Sequence, residues 1–193
     1  MLKPLCAAFT MTATVVLLSV PAQAQTSAGT DHAKHAGTSK THNQSAMTDT
    51  DFVTMTIKHH QDGIEMSRLE EKGGASADVK ALAAKIRQGQ ERELSELQAH
   101  QKSASAAGGD HAAHMKQMEA DSQRAMKRLR SASGAALDHA FAEEMAKHHQ
   151  QAIDMVSRTT FSDPQLRSMA QKMAANQKQE LSELKKHQQA GSH

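Results

Sequence analysis

The chain has 193 residues, with 23 Lys plus Arg against 21 Asp plus Glu and a formal net charge of +2. The charges are interspersed and aromatic content is 2% with no Trp or Tyr, so both a phosphate-tracking run and stacking platforms for bases are missing, which excludes nucleic acid as a partner. The enrichment is in 13 His and 12 Met, all beyond residue 24 except Met1 and Met11.

The N-terminus reads as a secretory signal peptide over residues 1–24. Lys3 supplies the positive start, Ala13 to Val20 the short apolar stretch, and Pro21-Ala22-Gln23-Ala24 a small-x-small cleavage signature ending at Ala24. That stretch is too short to favour a membrane span, and no later one competes. The protein is therefore expected to be periplasmic or secreted. Its one cysteine, Cys6, lies inside the leader, so the mature chain has neither disulfides nor thiolates and must use His, Met and carboxylates for any metal chemistry. Residues 25–47 carry almost no large apolar side chain and read as a disordered arm containing His32, His35 and His42.

A first helix is predicted from Thr48 or Asp49, either a suitable cap, to about Glu71, ended by Gly73-Gly74. Ser76 caps a second from about Ala77 to Gln101, whose apolar stripe is Val79, Leu82, Ile86, Leu94 and Leu97. Ser103 to Gly109 is a small-residue linker. A middle helix follows from about Asp110 to the turn at Ser131 to Gly134, then a fourth from Ala135 to Arg158. A fifth begins at Asp163-Pro164, with proline at the favourable first position. The fourth and fifth repeat the first and second. Lys58-His59-His60-Gln61 returns as Lys147-His148-His149-Gln150, and Glu93-Leu94-Ser95-Glu96-Leu97 as Glu180-Leu181-Ser182-Glu183-Leu184. The expectation is an all-α domain over residues 48–188, with hairpin one at 48–101, the middle helix at 110–131 and hairpin two at 135–188. The two hairpins would pack as a four-helix bundle.

Helical projection places His60 and His149 within the apolar faces of their helices, and His59 and His148 on the flanks. His59 aligns there with Met55 and Met66. His148 aligns with Met155, and Met145 stands on the apolar face beside His149. His59 to Met66 and His148 to Met155 are each seven residues, two turns on one face, leaving room for a ligand from another helix. Glu93 and Gln90 fall inside the apolar stripe of the second helix, as Glu180 and Gln177 do in the fifth. A buried carboxylate needs a partner, and an inward His60 or His149 suits it. Such pairs are either a satisfied core network or metal ligands oriented by an outer carboxylate.

On the middle helix, His111, His114, Met115 and Met118 form one face at i, i+3, i+4 and i+7, continued by Met126. Imidazole mixed with thioether suits Cu(I) or Ag(I), with Cu(II) a further candidate. Met169 and Met173 align with Leu82 and Ile86 and read as core. No Glu has a His three residues on, as a di-iron carboxylate bundle would require. Zincin, phosphate-loop and nucleophile-elbow motifs are also missing, so no catalytic residue is assigned.

At these positions the chain resembles the bacterial family catalogued as domain of unknown function 305. The shared pattern is Phe52, Met55, His59, His60, Gln61, Met66, Gln90 and Glu93, then Phe141, Met145, His148, His149, Gln150, Met155, Gln177 and Glu180. It departs from the family at Leu97 and Leu184, often Met there, and at His100 and His187, where Trp is usual. The resemblance implies a ferritin-like bundle and kinship with exported proteins, among them periplasmic copper binders of the CopM type. The reading that follows is an exported copper-binding protein for sequestration, resistance or delivery. Its partners would be metal ions and envelope copper-export or delivery proteins. A metal-dependent redox enzyme of cuprous-oxidase type, or a metal-free structural or adaptor bundle of the envelope, fits the same residues.

Overall fold

The computed structural model describes residues 47–103 and 112–190. The expected leader, nearly all of the expected arm, and His111 lie outside them. Among the described residues the chain forms five helices and one isolated bridge, between Met47 and Thr159. The helices are α1 (Asp49–Gly73), α2 (Ala77–Ser103), α3 (Ala112–Arg130), α4 (Ala135–Arg158) and α5 (Pro164–Ala190). The fold is the expected all-α bundle, with α2 extending past Gln101. None of the described helices is long and apolar enough to cross a membrane.

α1 packs along α2 and α4 along α5; α1 and α4 make the main contact between hairpins, and α2 and α5 barely meet. α3 lies over the seam of α1 and α4. Thr48, not Asp49, caps α1: its hydroxyl accepts from the Asp51 amide at 3.3 Å, and the Asp51 carboxylate accepts from the Thr48 amide at 3.0 Å. Asp49 is thereby free for another helix. Its carboxylate accepts from the amides of Ser162 at 3.2 Å and Asp163 at 2.9 Å, at the start of α5. Asp138 holds the equivalent place in α4 and does the reciprocal work, accepting from Ala75 and Ser76 at 2.9 Å each at the start of α2. Each hairpin thus caps the second helix of the other, which also runs α1 antiparallel to α4. The expected local caps are present too: Ser76 accepts from the Val79 amide and Asp163 from the Gln165 amide.

The core falls into two clusters. One holds Met66, Val79, Ile86, Leu129, Phe141, Met145 and Leu184. The other holds Phe52, Met55, Leu97, Met155, Phe161, Leu166, Met169 and Met173. Along every bundle helix the residues between the clusters are polar and buried: His59 and His60 in α1, Gln90 in α2, His148 and His149 in α4, Gln177 in α5. A layer of imidazole and amide therefore crosses the waist of the bundle.

Asp138 also meets Glu70, which is fully buried at the end of α1. A Cβ on Gly74 would lie 2.0 Å from Glu70 Oε1 and 2.6 Å from Asp138 Oδ1, so glycine is required for the two carboxyls to share this corner. Burial first, and then the Asp138 carboxylate, push the Glu70 carboxyl up from 4.5 to about 8, and its proton is held against Asp138. Between those values the folded chain keeps a proton that the unfolded chain has released, so stability falls as pH rises through that window. The melting temperature of the protein is expected to drop from roughly pH 5 to pH 9, and that of Glu70→Gln to stay nearly flat. Parallel slopes for the two would refute a shared proton. Asp49→Ala is expected to cost about 1–2 kcal/mol in urea denaturation, because it uncaps α5 and unclasps the hairpins together.

Candidate metal centre

His148 and His59 meet across the α1–α4 seam, their rings stacked with centroids 3.5 Å apart and planes 23° inclined. The placement of His59 and His148 on helix flanks did not anticipate this burial. They are 3% and 7% exposed because α4 and then α3 close over the flank. His148 donates Nε2–H to the His59 backbone carbonyl at 2.9 Å. A carbonyl only accepts, so the proton sits on Nε2 and Nδ1 carries the lone pair, buried and without a partner. Both ring nitrogens of His59 are buried without a partner as well. Burial first, then the neighbouring imidazoles, hold His148 down at about 3 and His59 well below the usual histidine range. Both rings are therefore neutral at physiological pH, the form that binds metal.

The asymmetry between the repeats comes from one glycine. Gly63 of α1 corresponds to Ala152 of α4. A Cβ at Gly63 would stand 2.2 Å from Gln90 Oε1 and 2.7 Å from His148 Cε1, so its absence admits the ring and the amide against α1. Ala152 carries the methyl group that Gly63 lacks; each ring faces the other histidine's backbone, and His148 makes the hydrogen bond of full geometry.

The outer pair of imidazoles behaves differently. His60 donates Nε2–H to Glu93 at 2.9 Å, and His149 to Glu180 at 2.8 Å. This is the pairing expected from the apolar stripes. Both rings are fully buried, and their carboxylates keep 14% and 12% side-chain exposure. The buried layer is completed by Gln90 and Gln177, whose amides have no hydrogen-bond partner.

Beside the stacked pair lies a cavity of about 440 Å³. His59, His148 and Met66 line it from α1 and α4, Met118 from α3. Its wall carries four carboxylates: Asp62 is ion-paired with Lys58, Asp121 with Arg124, and Glu144 with Arg128 and Lys147, while Asp154 accepts from the Gln150 side-chain amide. Among the described residues no three His, Asp, Glu or Cys side chains converge to hold an ion, so a site here must draw on thioether sulfur. His59, His148, Met66 and Met118 are the set that fits: unpartnered buried nitrogens beside sulfurs at one cavity.

Not all the anticipated ligands join it. Met55 and Met155 lie in the second core cluster and Met145 in the first. The two seven-residue His-to-Met spacings are consequently not equivalent: both methionines are core, and only Met66 also lines the cavity. On α3, Met115 and Met118 turn toward the second core cluster and His114 is half-buried. Met126 is core, as are Met169 and Met173, the latter two as expected. The sequence reading missed Gly63, Asp62 and Asp121. Only Gly63 had a legible signal, as a glycine inside a repeated helix where the matched position is Ala152.

The family model for the domain of unknown function DUF305 matches residues 19–101 and 49–188. The chain belongs to the DUF305 family. No curated protein matches it significantly. Among solved structures it is similar to CopM in the Cu(II)-bound form, at 24% identity and TM-score 0.60 over 75% of this chain and 98% of that one. CopM in the Ag-bound form gives 24% identity and TM-score 0.59, over 76% and 98%. A putative secreted DUF305 protein from Streptomyces coelicolor gives 18% identity and TM-score 0.58, over 71% and 90%. These likenesses establish the shared bundle.

Gly63→Ala is expected to destabilise the protein by about 1–3 kcal/mol, since a core with no spare volume must move Gln90 and His148. Ala152→Gly should cost about 1 kcal/mol or less. Equal costs for the two in thermal unfolding would refute the asymmetry.

Proposed function

We propose that this DUF305 protein is exported, with its leader removed near Ala24, and binds Cu(I) or Ag(I) in the envelope for sequestration, resistance or delivery. The observation that carries the reading is the group of unpartnered, neutral, buried imidazole nitrogens beside Met66 and Met118 at one cavity. Buried polar atoms without partners cost about 1–3 kcal/mol each, so a binding role accounts for why they are retained. Thioether with imidazole is a soft donor set, which suits monovalent copper and silver and gives magnesium or calcium nothing to prefer. CopM, whose structures include Cu(I)-, Cu(II)- and Ag-bound forms, supports the same choice through a shared bundle.

The proposal is binding rather than turnover. His60 and His149 serve it from behind: each is held by its carboxylate and keeps the waist rigid under the stacked pair. The hydroxyls that lie against carboxylates, Thr48 on Asp51 and Ser162 on Asp49, belong to the helix caps, and docking onto a copper-export or delivery protein is the proposed fate of the cargo.

The test is an anaerobic Cu(I) titration of residues 25–193 against a chromophoric chelator, with a parallel melting curve. The wild-type protein should withdraw copper and melt at a higher temperature when loaded, because a ligand bound only by the folded state stabilises it. His59→Ala combined with His148→Ala should lower the affinity at least ~tenfold, a loss of about 1.4 kcal/mol or more, and Met66→Leu with Met118→Leu should act in the same direction. Failure to take copper even from a weak chelator would end the copper reading.

A further inference from the structure

The stacked pair cannot bind one ion as it stands. The lone pair of an imidazole nitrogen lies in the ring plane, so an ion shared by two rings must lie where their planes meet. Planes inclined by 23° with centres 3.5 Å apart meet only at roughly 9 Å from those centres, whereas an ion on a ring nitrogen sits roughly 3 Å from its ring centre. One ring has to turn. His148 is the fixed one, since its Nε2–H is bonded to the His59 carbonyl and its edge sits in the space left by Gly63. His59 has no ring hydrogen bond of full geometry, its polar contact with the His148 backbone being the weaker of the two, and it borders the cavity of about 440 Å³. A helical side chain has two favoured χ1 wells, near 180° and −60°, and the cavity lies beside the His59 ring.

We infer that the His59–His148 stack is the closed form of a single-ion soft-metal site, and that His59 leaves the stack toward the cavity so that its ring and His148 Nδ1 reach a common ion. The inference rests on the copper-binding reading and specifies how that site works. In the closed form the neighbouring ring shields the unpartnered nitrogens; in the open form the ion satisfies them. Sulfur from Met66 or Met118, at the same cavity, completes the coordination. Because α3 supplies Met118 and part of the cavity wall, the ring turns toward α3 rather than toward α2 and α5, where Glu93 and Glu180 already hold the outer imidazoles.

The experiment is a titration of ¹⁵N-histidine-labelled protein (residues 25–193) with Ag(I), a diamagnetic soft ion, followed by NMR. Uptake is established separately by chelator competition. Before silver, the His59 ring protons should resonate upfield of their position in His148→Ala, because the stacked neighbour shields them. With one equivalent, that upfield displacement should disappear, and silver–nitrogen coupling should appear on both His148 Nδ1 and one nitrogen of His59. Coupling on both rings with the upfield displacement retained would overturn the inference, as would tight uptake with coupling on one ring or on neither. Those failures differ from absence of uptake, which would remove the copper reading itself. His59→Phe keeps an aromatic ring in the stack but no donor. It should fold, preserve the shielding of His148 and bind silver at least ~tenfold more weakly; unchanged affinity would also overturn the inference.

Discussion

A buried polar layer governs this bundle. Four imidazoles and two amides cross its waist, between two core clusters built mainly of Leu, Met, Phe, Ile, Val and Ala. Burying such groups is tolerable only where they find partners. At the two ends of the row, toward α2 and α5, carboxylates from those helices provide them. At the centre no side chain does, and the centre borders the cavity covered by α3. Nδ1 of His60 and of His149 and the Gln90 and Gln177 amides stay unpartnered along with the central rings, and of the four imidazoles it is His59 and His148 that border the cavity, where a ligand can reach them.

Duplication explains why the layer spans the whole bundle, and its imperfection explains why the layer has a site. Two identical hairpins would bring His59 and His148 to the seam on equal terms. Gly63 breaks the tie. It lets His148 and Gln90 press against α1 and His148 bond a backbone carbonyl, while His59 makes no ring hydrogen bond of full geometry. A difference of one methyl group between matched positions thus sorts two equivalent histidines into an anchored ring and a more loosely held one.

Holding the seam in register is the work of the ends. Asp49 and Asp138 stand at matched places in the first turns of α1 and α4, and each caps the second helix of the opposite hairpin. A helix N-terminus with its partial positive charge is a strong partner for a carboxylate. The two caps fix how far α1 slides along α4, and so whether the rings of His59 and His148 face each other. The Glu70 proton sits behind one of these caps, which links the clasp to pH.

Much of this was legible before any coordinates. The repeated Lys-His-His-Gln and Glu-Leu-Ser-Glu-Leu blocks, the 3.6-residue apolar stripes and the Gly-Gly and Asp-Pro boundaries already implied two helical hairpins in one bundle. The pairing of His60 with Glu93 and of His149 with Glu180 also followed, because a carboxylate inside an apolar stripe has few permissible partners. Those are properties of single helices and of chemistry within one face. Tertiary structure alone decided which flank is covered, since projection on one helix says nothing about what lands on it. That is why His59 and His148 proved buried and stacked, why Met66 and not Met155 lines the cavity beside them, and why Met118 does so rather than His114 or Met115. Those contacts depend on the angle and slide between α1 and α4. A glycine and two long-range caps set these, and none of the three has any signature in local periodicity.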